Sequence, residues 1–272
     1  MHEEIKYINS DGKIAMLNQS PIFLNFKEAK VFNYNITNNI YYNTGKNFTL
    51  SFLIIGRKEA DNFIDILQID VTNNKFGKLY INNWYLKCRY IGINSISAET
   101  LNIVKMDISF YCDDFLWSRE SEYILTPQRD FTPISELNSG DNFLDMNFDF
   151  DYDYVHTDFS FSYIKNTQPE NATLKITVDA TDEDGVNIQI FNDNFFNNYI
   201  FNHSIQSGQK LVIDGETQKV TYNGVDAFSN VPEESDVFCK LPQGYFSVSW
   251  GDGNYNIYIT VIERRTAPLW NI

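Results

Sequence analysis

The segment that most constrains the fold is IVKMDISFYC, residues 103–112, because apolar and polar side chains alternate along it. Successive side chains of a β-strand point to opposite faces of a sheet, and a shift of one residue would exchange the two faces. The pattern therefore predicts a strand with one core face and one polar face. The predicted core face consists of Val104, Met106, Ile108, Phe110 and Cys112, and the other face includes Lys105, Asp107 and Ser109.

Other short apolar runs, each bounded by turn-forming residues, predict a chain that consists mainly of β-strands. The 22 Phe and 17 Tyr residues suit the pleated, half-buried surface of a sheet. The predicted strands cover residues 22–26, 48–55, 159–163, 174–178, 188–191 and 210–213, and the predicted turns are Asp184-Gly185, Ser207-Gly208 and Asn223-Gly224.

Residues 78–90 predict a β-hairpin with a tight loop. Two strand-like runs, 78–81 and 84–90, are separated by Asn82 and Asn83 alone. Asn tolerates the positive φ of a two-residue turn, so the two runs are expected to pair antiparallel.

One segment changes to a helical period, at about residues 58–72. Its apolar residues recur every three or four positions, which predicts an amphipathic helix lying on a sheet. The predicted apolar stripe is Ala60, Phe63, Ile64, Leu67 and Val71, and Glu59, Asp61, Asp65 and Asp70 are expected on the other faces.

The chain of 272 residues is long for a single core, which favours two domains. Between about 118 and 142 the periodicity is lost and Pro127, Pro133 and Gly140 occur, as is typical of a linker. We predict a β-rich N-terminal domain with one α-helix at residues 1–125, a linker at 126–142 and a C-terminal β-sandwich at 143–272.

The net charge of −15 is unevenly distributed. Residues 1–140 contain 14 Lys and Arg against 16 Asp and Glu, a net charge of −2, whereas residues 141–272 contain 7 against 20, a net charge of −13. The acidic second half would repel phosphate backbones and anionic lipids, so we expect neither nucleic-acid binding nor membrane insertion. No apolar window reaches the length of a membrane span, and no secretion signal is expected.

The residues predict no catalytic, cofactor-binding or metal-binding site. His156 and His203 lack partner motifs, and no nucleophile elbow or phosphate-binding loop occurs. A glycosidase carboxylate pair stays open, because sequence spacing does not determine the distance between two carboxylates. The three cysteines lack disulfide or zinc spacing and are interpreted as buried free thiols: Cys88, Cys112 and Cys239.

Two features leave alternatives open. In residues 148–154, FDFDYDY, aromatic residues alternate with Asp149, Asp151 and Asp153. This pattern fits an edge strand protected by its carboxylates, or a surface for calcium or a partner. Aromatic residues such as Trp250 and Tyr255 fit either a core or a face that binds carbohydrate or a partner.

Six segments have the form of motifs from one protein family, and they occur along the chain in the order expected for that family. Residues 78–88 are similar to a hairpin of the form G-x-L-x-I-x-x-x-Y-L-x-C, and residues 263–270 to a closing E-R-S-E-P-x-W. The chain resembles the siphophage-type distal tail proteins, which are found at the tail tips of phages of Gram-positive bacteria. The stretch 165–205 is matched poorly, and residues 182–185 and 191–201 are interpreted as divergent or inserted. The other four similar segments are 113–117, 148–154, 207–214 and 237–244.

The resemblance implies a non-enzymatic structural protein without cofactors. Six copies of the N-terminal domain would close a ring at the tail tip of the virion, and a galectin-like or carbohydrate-module-like sandwich would project outward. The implied partners are the tail tube protein, the tail hub or tail-associated protein and receptor-binding or baseplate proteins, with assembly in the host bacterial cytoplasm. The alternative function is a module that binds or cleaves glycans on the bacterial surface.

A closed ring needs two different patches on each copy. The near-neutral first half suits close packing better than the acidic second half, so residues 1–140 are expected to form the ring. Open strand edges and the hairpin could supply the contact by β-augmentation, with Tyr80, Trp84 and Tyr85 as interface candidates.

Overall fold

The computed structural model describes residues 4–24, 46–100, 102–114, 116–126, 161–180, 184–250 and 255–266. These residues form one α-helix, a short 3-10 turn at Phe228–Asn230 and eighteen β-strands, which confirms the predicted mainly β fold. The helix is α1 (Arg57–Thr72), and the strands are β1 (Ile5–Ile8), β2 (Ile14–Met16), β3 (Asn18–Gln19), β4 (Ile22–Leu24), β5 (Lys46–Ile55), β6 (Gly77–Ile81), β7 (Trp84–Ala98), β8 (Ile103–Cys112), β9 (Trp117–Leu125), β10 (Phe161–Asn166), β11 (Thr173–Ala180), β12 (Val186–Asn192), β13 (Phe195–Phe201), β14 (Lys210–Asp214), β15 (Lys219–Tyr222), β16 (Val225–Asp226), β17 (Gly244–Ser249) and β18 (Tyr255–Arg265).

The chain divides into two compact units. Unit 1 consists of residues 1–119 and 264–272, and unit 2 consists of residues 120–263. The predicted linker, 126–142, lies outside the described residues apart from Thr126. The predicted limits of the domains, 1–125 and 143–272, therefore stay a prediction.

Unit 1 contains an antiparallel sheet in the order β3-β4-β5-β8-β7. The predicted alternation in β8 is confirmed, since Val104 and every second residue after it are buried and the residues between them are half-buried. Strand β7 is long enough to pair with β8 and, through residues 84–88, also with β6. Strand β6 pairs in turn with β1, and β1 with β2.

Helix α1 confirms the predicted helix, with one correction to its buried face. Ala60, Phe63 and Leu67 are buried as predicted, and the Phe63 ring meets the Phe52 ring edge-on at 5.1 Å between centroids. The last buried position is Asp70, whereas Val71 is exposed. Asp70 continues the spacing of three and four residues from Leu67, and Val71 is turned about 100° further around the axis.

A carboxylate inside unit 1 connects the helix to the first strand and the hairpin. Asp70 Oδ2 accepts a hydrogen bond of 2.5 Å from the Tyr7 hydroxyl, and Asp70 Oδ1 accepts one of 2.6 Å from the backbone N–H of Ser10. Burial, Cys88 and the hydrogen bond to Asp70 raise the pKa of Tyr7. Gly77 lies against this pair, and a Cβ atom there would overlap the Tyr7 hydroxyl and the Asp70 carboxylate.

Unit 2 is a β-sandwich, as predicted. One sheet runs in the order β16-β15-β14-β11-β18, and the second sheet runs β10-β17-β12-β13. Buried side chains from both sheets form one apolar cluster, which includes Ile176, Ile188, Phe201 and Val248. Each fully buried aliphatic or aromatic side chain of this kind stabilises the fold by roughly 1.5–3 kcal/mol.

The turns of unit 2 follow the sequence signals. Asn223 and Gly224 have φ angles of 48° and 81°, so both central residues have the positive φ of a type I′ turn. Gly208 also has a positive φ, of 79°. Residues 191–201 contain β13, which pairs with β12 and buries Tyr199 and Phe201, so this stretch is part of the sandwich.

Candidate functional site

The predicted hairpin is present in unit 1, between β6 and β7. Ile81 pairs with Trp84, and Asn82 has the positive φ of 54° that the tight loop requires. Strand β6 pairs with β1 along residues 78–81, and β7 pairs with β9 at Tyr85, so these positions offer no free edge. β-Augmentation by the hairpin is therefore restricted to its other positions and stays a prediction.

The three ring-interface candidates differ in exposure. The side chains of Trp84 and Tyr85 are 2% exposed, which makes them core residues of their own chain. Tyr80 is half-buried, and its ring lies 5.4 Å from the Tyr85 ring. The structure brings the three residues together, but only Tyr80 has a side chain that another molecule could reach.

Trp84 connects three of the segments that carry the family resemblance. The guanidinium groups of Arg119 and Arg265 lie 4.9 and 5.3 Å from the centre of its ring, within the range of a cation–π interaction. Arg264 forms an ion pair of 3.9 Å with Asp114. The hairpin, the segment around 113–117 and the segment that starts at 263 thus meet inside unit 1, so these motifs have a structural role.

An exposed apolar surface of unit 1 lies away from the hairpin, on the outer face of β4, β5 and β8. Phe23 and Leu53 are in register across β4 and β5, and Ile55 and Ile103 are in register across β5 and β8. Phe23, Leu53 and Ile55 are exposed, and together with Ile103 they line a groove of about 500 Å³. We refer to the three aliphatic residues among them, Leu53, Ile55 and Ile103, as the aliphatic face.

Sequence analysis missed the aliphatic face, although a signal was present. Residues 52–55, FLII, form an uninterrupted apolar run, and such a run makes both faces of a strand apolar. Phe52 and Ile54 fill the core, which leaves Leu53 and Ile55 outside. At Ser51, which also lines the groove, the same outer face becomes polar. There Asp107 accepts hydrogen bonds of 2.6 Å from Ser51 and 2.5 Å from Ser95, and these bonds lower the pKa of Asp107.

Two of the carbohydrate-face candidates of the second half are among the described residues, and neither lies at a surface. Trp250 and Tyr255 are buried, and the Tyr255 hydroxyl donates a hydrogen bond of 3.2 Å to the backbone oxygen of Asn187. A buried ring has no face on which a sugar could stack, so these two are core residues. Asp149, Asp151 and Asp153 lie outside the described residues.

The three cysteines differ in burial. Cys88 and Cys112 are buried thiols as predicted, whereas Cys239 is only half-buried. Among the described residues, no group of three or more His, Cys, Asp or Glu side chains is placed to hold a metal ion. In the same part of the chain, no helix has the length and apolarity needed to cross a membrane.

With this geometry established, the chain can be compared with known proteins. Residues 166–264 match the family described as "Siphovirus-type tail component, C-terminal domain". The resemblance to siphophage-type distal tail proteins is confirmed. The match includes most of the stretch 165–205, which the motifs alone matched poorly.

Solved structures of phage tail-tip components have the same fold over nearly the whole chain. The SPP1 Dit protein, described as a paradigm of the hub adsorption apparatus in phages that infect Gram-positive bacteria, has a TM-score of 0.51 at 11% identity, covering 97% of this chain and 100% of that chain. A chain of the phage P2 baseplate in its Ca-activated conformation has a TM-score of 0.61 at 12% identity, covering 98% and 100%. No curated protein matches the sequence.

Proposed function

We propose that this protein is a structural component of a phage tail tip, in which six copies form a ring that connects the tail tube to hub, baseplate or receptor-binding proteins. The observation that carries the proposal is the match of residues 166–264 to a tail-component domain, supported by a fold shared over 97–98% of the chain with tail-tip proteins. This role acts through shape and requires no reactive group. Its location would be the tail tip of a virion or a tail-like particle.

We infer that the aliphatic face is one of the two patches through which neighbouring copies meet. Aliphatic side chains offer water no hydrogen bonds, so a contiguous group of them on an exposed sheet is typical of a protein interface. Residues 1–140 have a net charge of only −2, which permits close approach of six copies.

The ring needs a second, different patch, because a cyclic interface joins unlike surfaces. Ile91 and Ile96 of β7 are exposed in the same unit and are candidates for that patch. In this arrangement the interface is formed by side chains on sheet faces, and the hairpin around Trp84 stabilises the unit from within.

A pair of variants tests the proposed interface. The double substitution Leu53→Asp and Ile55→Asp places two carboxylates on the aliphatic face. It should abolish ring-shaped particles in negatively stained micrographs, since burying two unpaired charges is strongly unfavourable. Val225→Asp introduces a carboxylate at an exposed position of unit 2 and serves as the control. Rings that persist in the double variant would exclude the aliphatic face, and rings lost in both variants would show that added charge alone prevents assembly.

A further inference from the structure

The outer face of the second sheet of unit 2 carries a row of aromatic side chains that the proposed ring does not use. The register of β10, β17, β12 and β13 places Tyr163 opposite Ser247, Ser247 opposite Phe191, and Phe191 opposite Phe196. Tyr245 lies two residues before Ser247 on the same side of β17. We refer to Tyr163, Phe191, Phe196 and Tyr245 as the aromatic face.

The aromatic face is open to solvent. Tyr163, Phe196 and Tyr245 are 63%, 65% and 72% exposed, and Phe191 between them is half-buried. The buried residues of these strands, such as Ile190 and Val248, point to the opposite side, into the core. Single exposed aromatic residues are common, but four neighbours on one sheet face are typical of a binding surface.

The polar residues of the same face are neutral except for Lys165, which is exposed and in register with Tyr245. The outward positions beside the aromatic rings carry amides and hydroxyls, namely Asn187, Gln189, Asn198, Ser247 and Ser249. Amides and hydroxyls both donate and accept hydrogen bonds. The described outward positions of the four strands include no Asp or Glu, although residues 141–272 contain 20 of them. With five neutral polar side chains and the single cation of Lys165 on the edge strand β10, the face favours a ligand that carries little or no charge.

We propose that the aromatic face binds a neutral oligosaccharide. The C–H faces of a sugar ring pack on aromatic rings, and its hydroxyls need groups that both donate and accept. The row crosses four strands, a span of roughly 15 Å at the usual strand spacing, which suits several linked sugars better than one. This site differs from the Trp250 and Tyr255 position considered from sequence, because those two side chains are buried.

The aromatic face also differs in chemistry from a surface built to dock another protein tightly. The centre of such an interface is usually dry and apolar, with polar groups confined to the rim. In unit 2 the neutral polar groups lie between the aromatic residues, with Ser247 between Tyr163 and Phe191. A ligand covering this row must satisfy hydrogen bonds along its whole length, as a chain of hydroxyl-bearing rings does.

The test uses the full chain and two variants of it. Isothermal titration with chitohexaose, maltohexaose, cellohexaose and a galactose hexasaccharide should detect binding of at least one of them. The double variant Tyr163→Ala and Tyr245→Ala should weaken that binding by about tenfold or more, because it removes two stacking rings. Tyr258→Ala should leave it unchanged, since Tyr258 is a partly exposed tyrosine on β18 in the other sheet of unit 2.

Circular dichroism melting of each variant separates lost binding from lost folding, and the exposed positions predict nearly unchanged melting temperatures. The proposal would be overturned if none of the four sugars bound at millimolar concentration, or if the double variant bound as well as Tyr258→Ala. It would also be overturned if only sulfated or carboxylated sugars bound. Rings seen in micrographs of a protein that binds no sugar would contradict this inference alone and leave the proposed ring intact.

Discussion

The aliphatic face of unit 1 and the aromatic face of unit 2 both leave apolar side chains on the outside of a sheet, but their neighbours differ. Around Leu53 and Ile55 the groove is mostly apolar, although Ser51, Glu99 and Lys105 also line it, and the serine and aspartate side chains beside it are bonded to one another. Around Tyr163 and Phe191 neutral polar residues lie within the row itself. The first surface gains most from a dry contact and the second from a hydrated, hydroxyl-bearing ligand, which is why we assign assembly to one unit and recognition to the other.

The largest expected loss of stability follows from replacing a buried tryptophan, Trp84 in unit 1 or Trp250 in unit 2. Trp84→Ala should destabilise unit 1 and Trp250→Ala should destabilise unit 2, each by about 3–5 kcal/mol, the usual result of removing a buried Trp. In hydrogen exchange read by mass spectrometry, Trp84→Ala should raise exchange in peptides from 4–114 and Trp250→Ala in peptides from 184–250. Only Trp84→Ala should abolish rings, and loss of rings in Trp250→Ala alone would reverse the assignment of the two units.

A smaller effect is expected from two glycines that lie in close contact with other residues. A Cβ atom at Gly77 would overlap Tyr7 and Asp70 in unit 1, and one at Gly215 would come within 2.8 Å of the backbone oxygen of Leu174 in unit 2. Gly77→Ala and Gly215→Ala should each lower the free energy of unfolding by roughly 1–3 kcal/mol, as forced overpacking does. Gly92→Ala is the control, because a Cβ there meets nothing within 4 Å. Equal chemical-denaturation midpoints for all three variants would contradict the close contacts.

The smallest effect concerns pH and the polar end of the outer face in unit 1. Hydrogen bonds from Ser51 and Ser95 lower the pKa of Asp107, so its contribution to stability is present above the unfolded pKa and is lost as the pH falls through the folded pKa. The double substitution Ser51→Ala and Ser95→Ala should raise that pKa in a carbon-detected NMR titration. Thr49→Ala, which removes the neighbouring hydroxyl bonded to Ser109, should leave it in place. If the pKa of Asp107 stayed unchanged in the double serine variant, the two serine hydrogen bonds would not form in solution.

Much of the fold could be predicted where local pattern and final environment agree. The alternation of residues 103–112, the hairpin turn at Asn82 and the turn at Asn223 are local signals, and the structure confirms them. Prediction failed where a residue's partner is distant in sequence. Asp70 was expected outside because it is charged, yet Tyr7 and Ser10, about sixty positions away, supply the hydrogen bonds that permit its burial.

The candidate surfaces could not be predicted for a related reason. Tyr163, Ser247 and Phe191 become neighbours only through the pairing of β10, β17 and β12, which are far apart in the sequence. Trp250 and Tyr255 were considered for a surface because aromatic residues suit both cores and binding sites, and only packing distinguishes the two. The run FLII was the exception, since its unbroken apolar character already implied a second apolar face.

The mass of the full-length protein in solution tests the central claim most directly. Size-exclusion chromatography with light scattering, at rising protein concentration, should show a particle of six times the 31.7 kDa chain mass, and micrographs of that fraction should show rings with sixfold symmetry. The substitutions Leu53→Asp and Ile55→Asp should return the mass to a single chain. A native protein that keeps the mass of one chain at every concentration, with purified tail tube protein present as well as absent, would contradict the account.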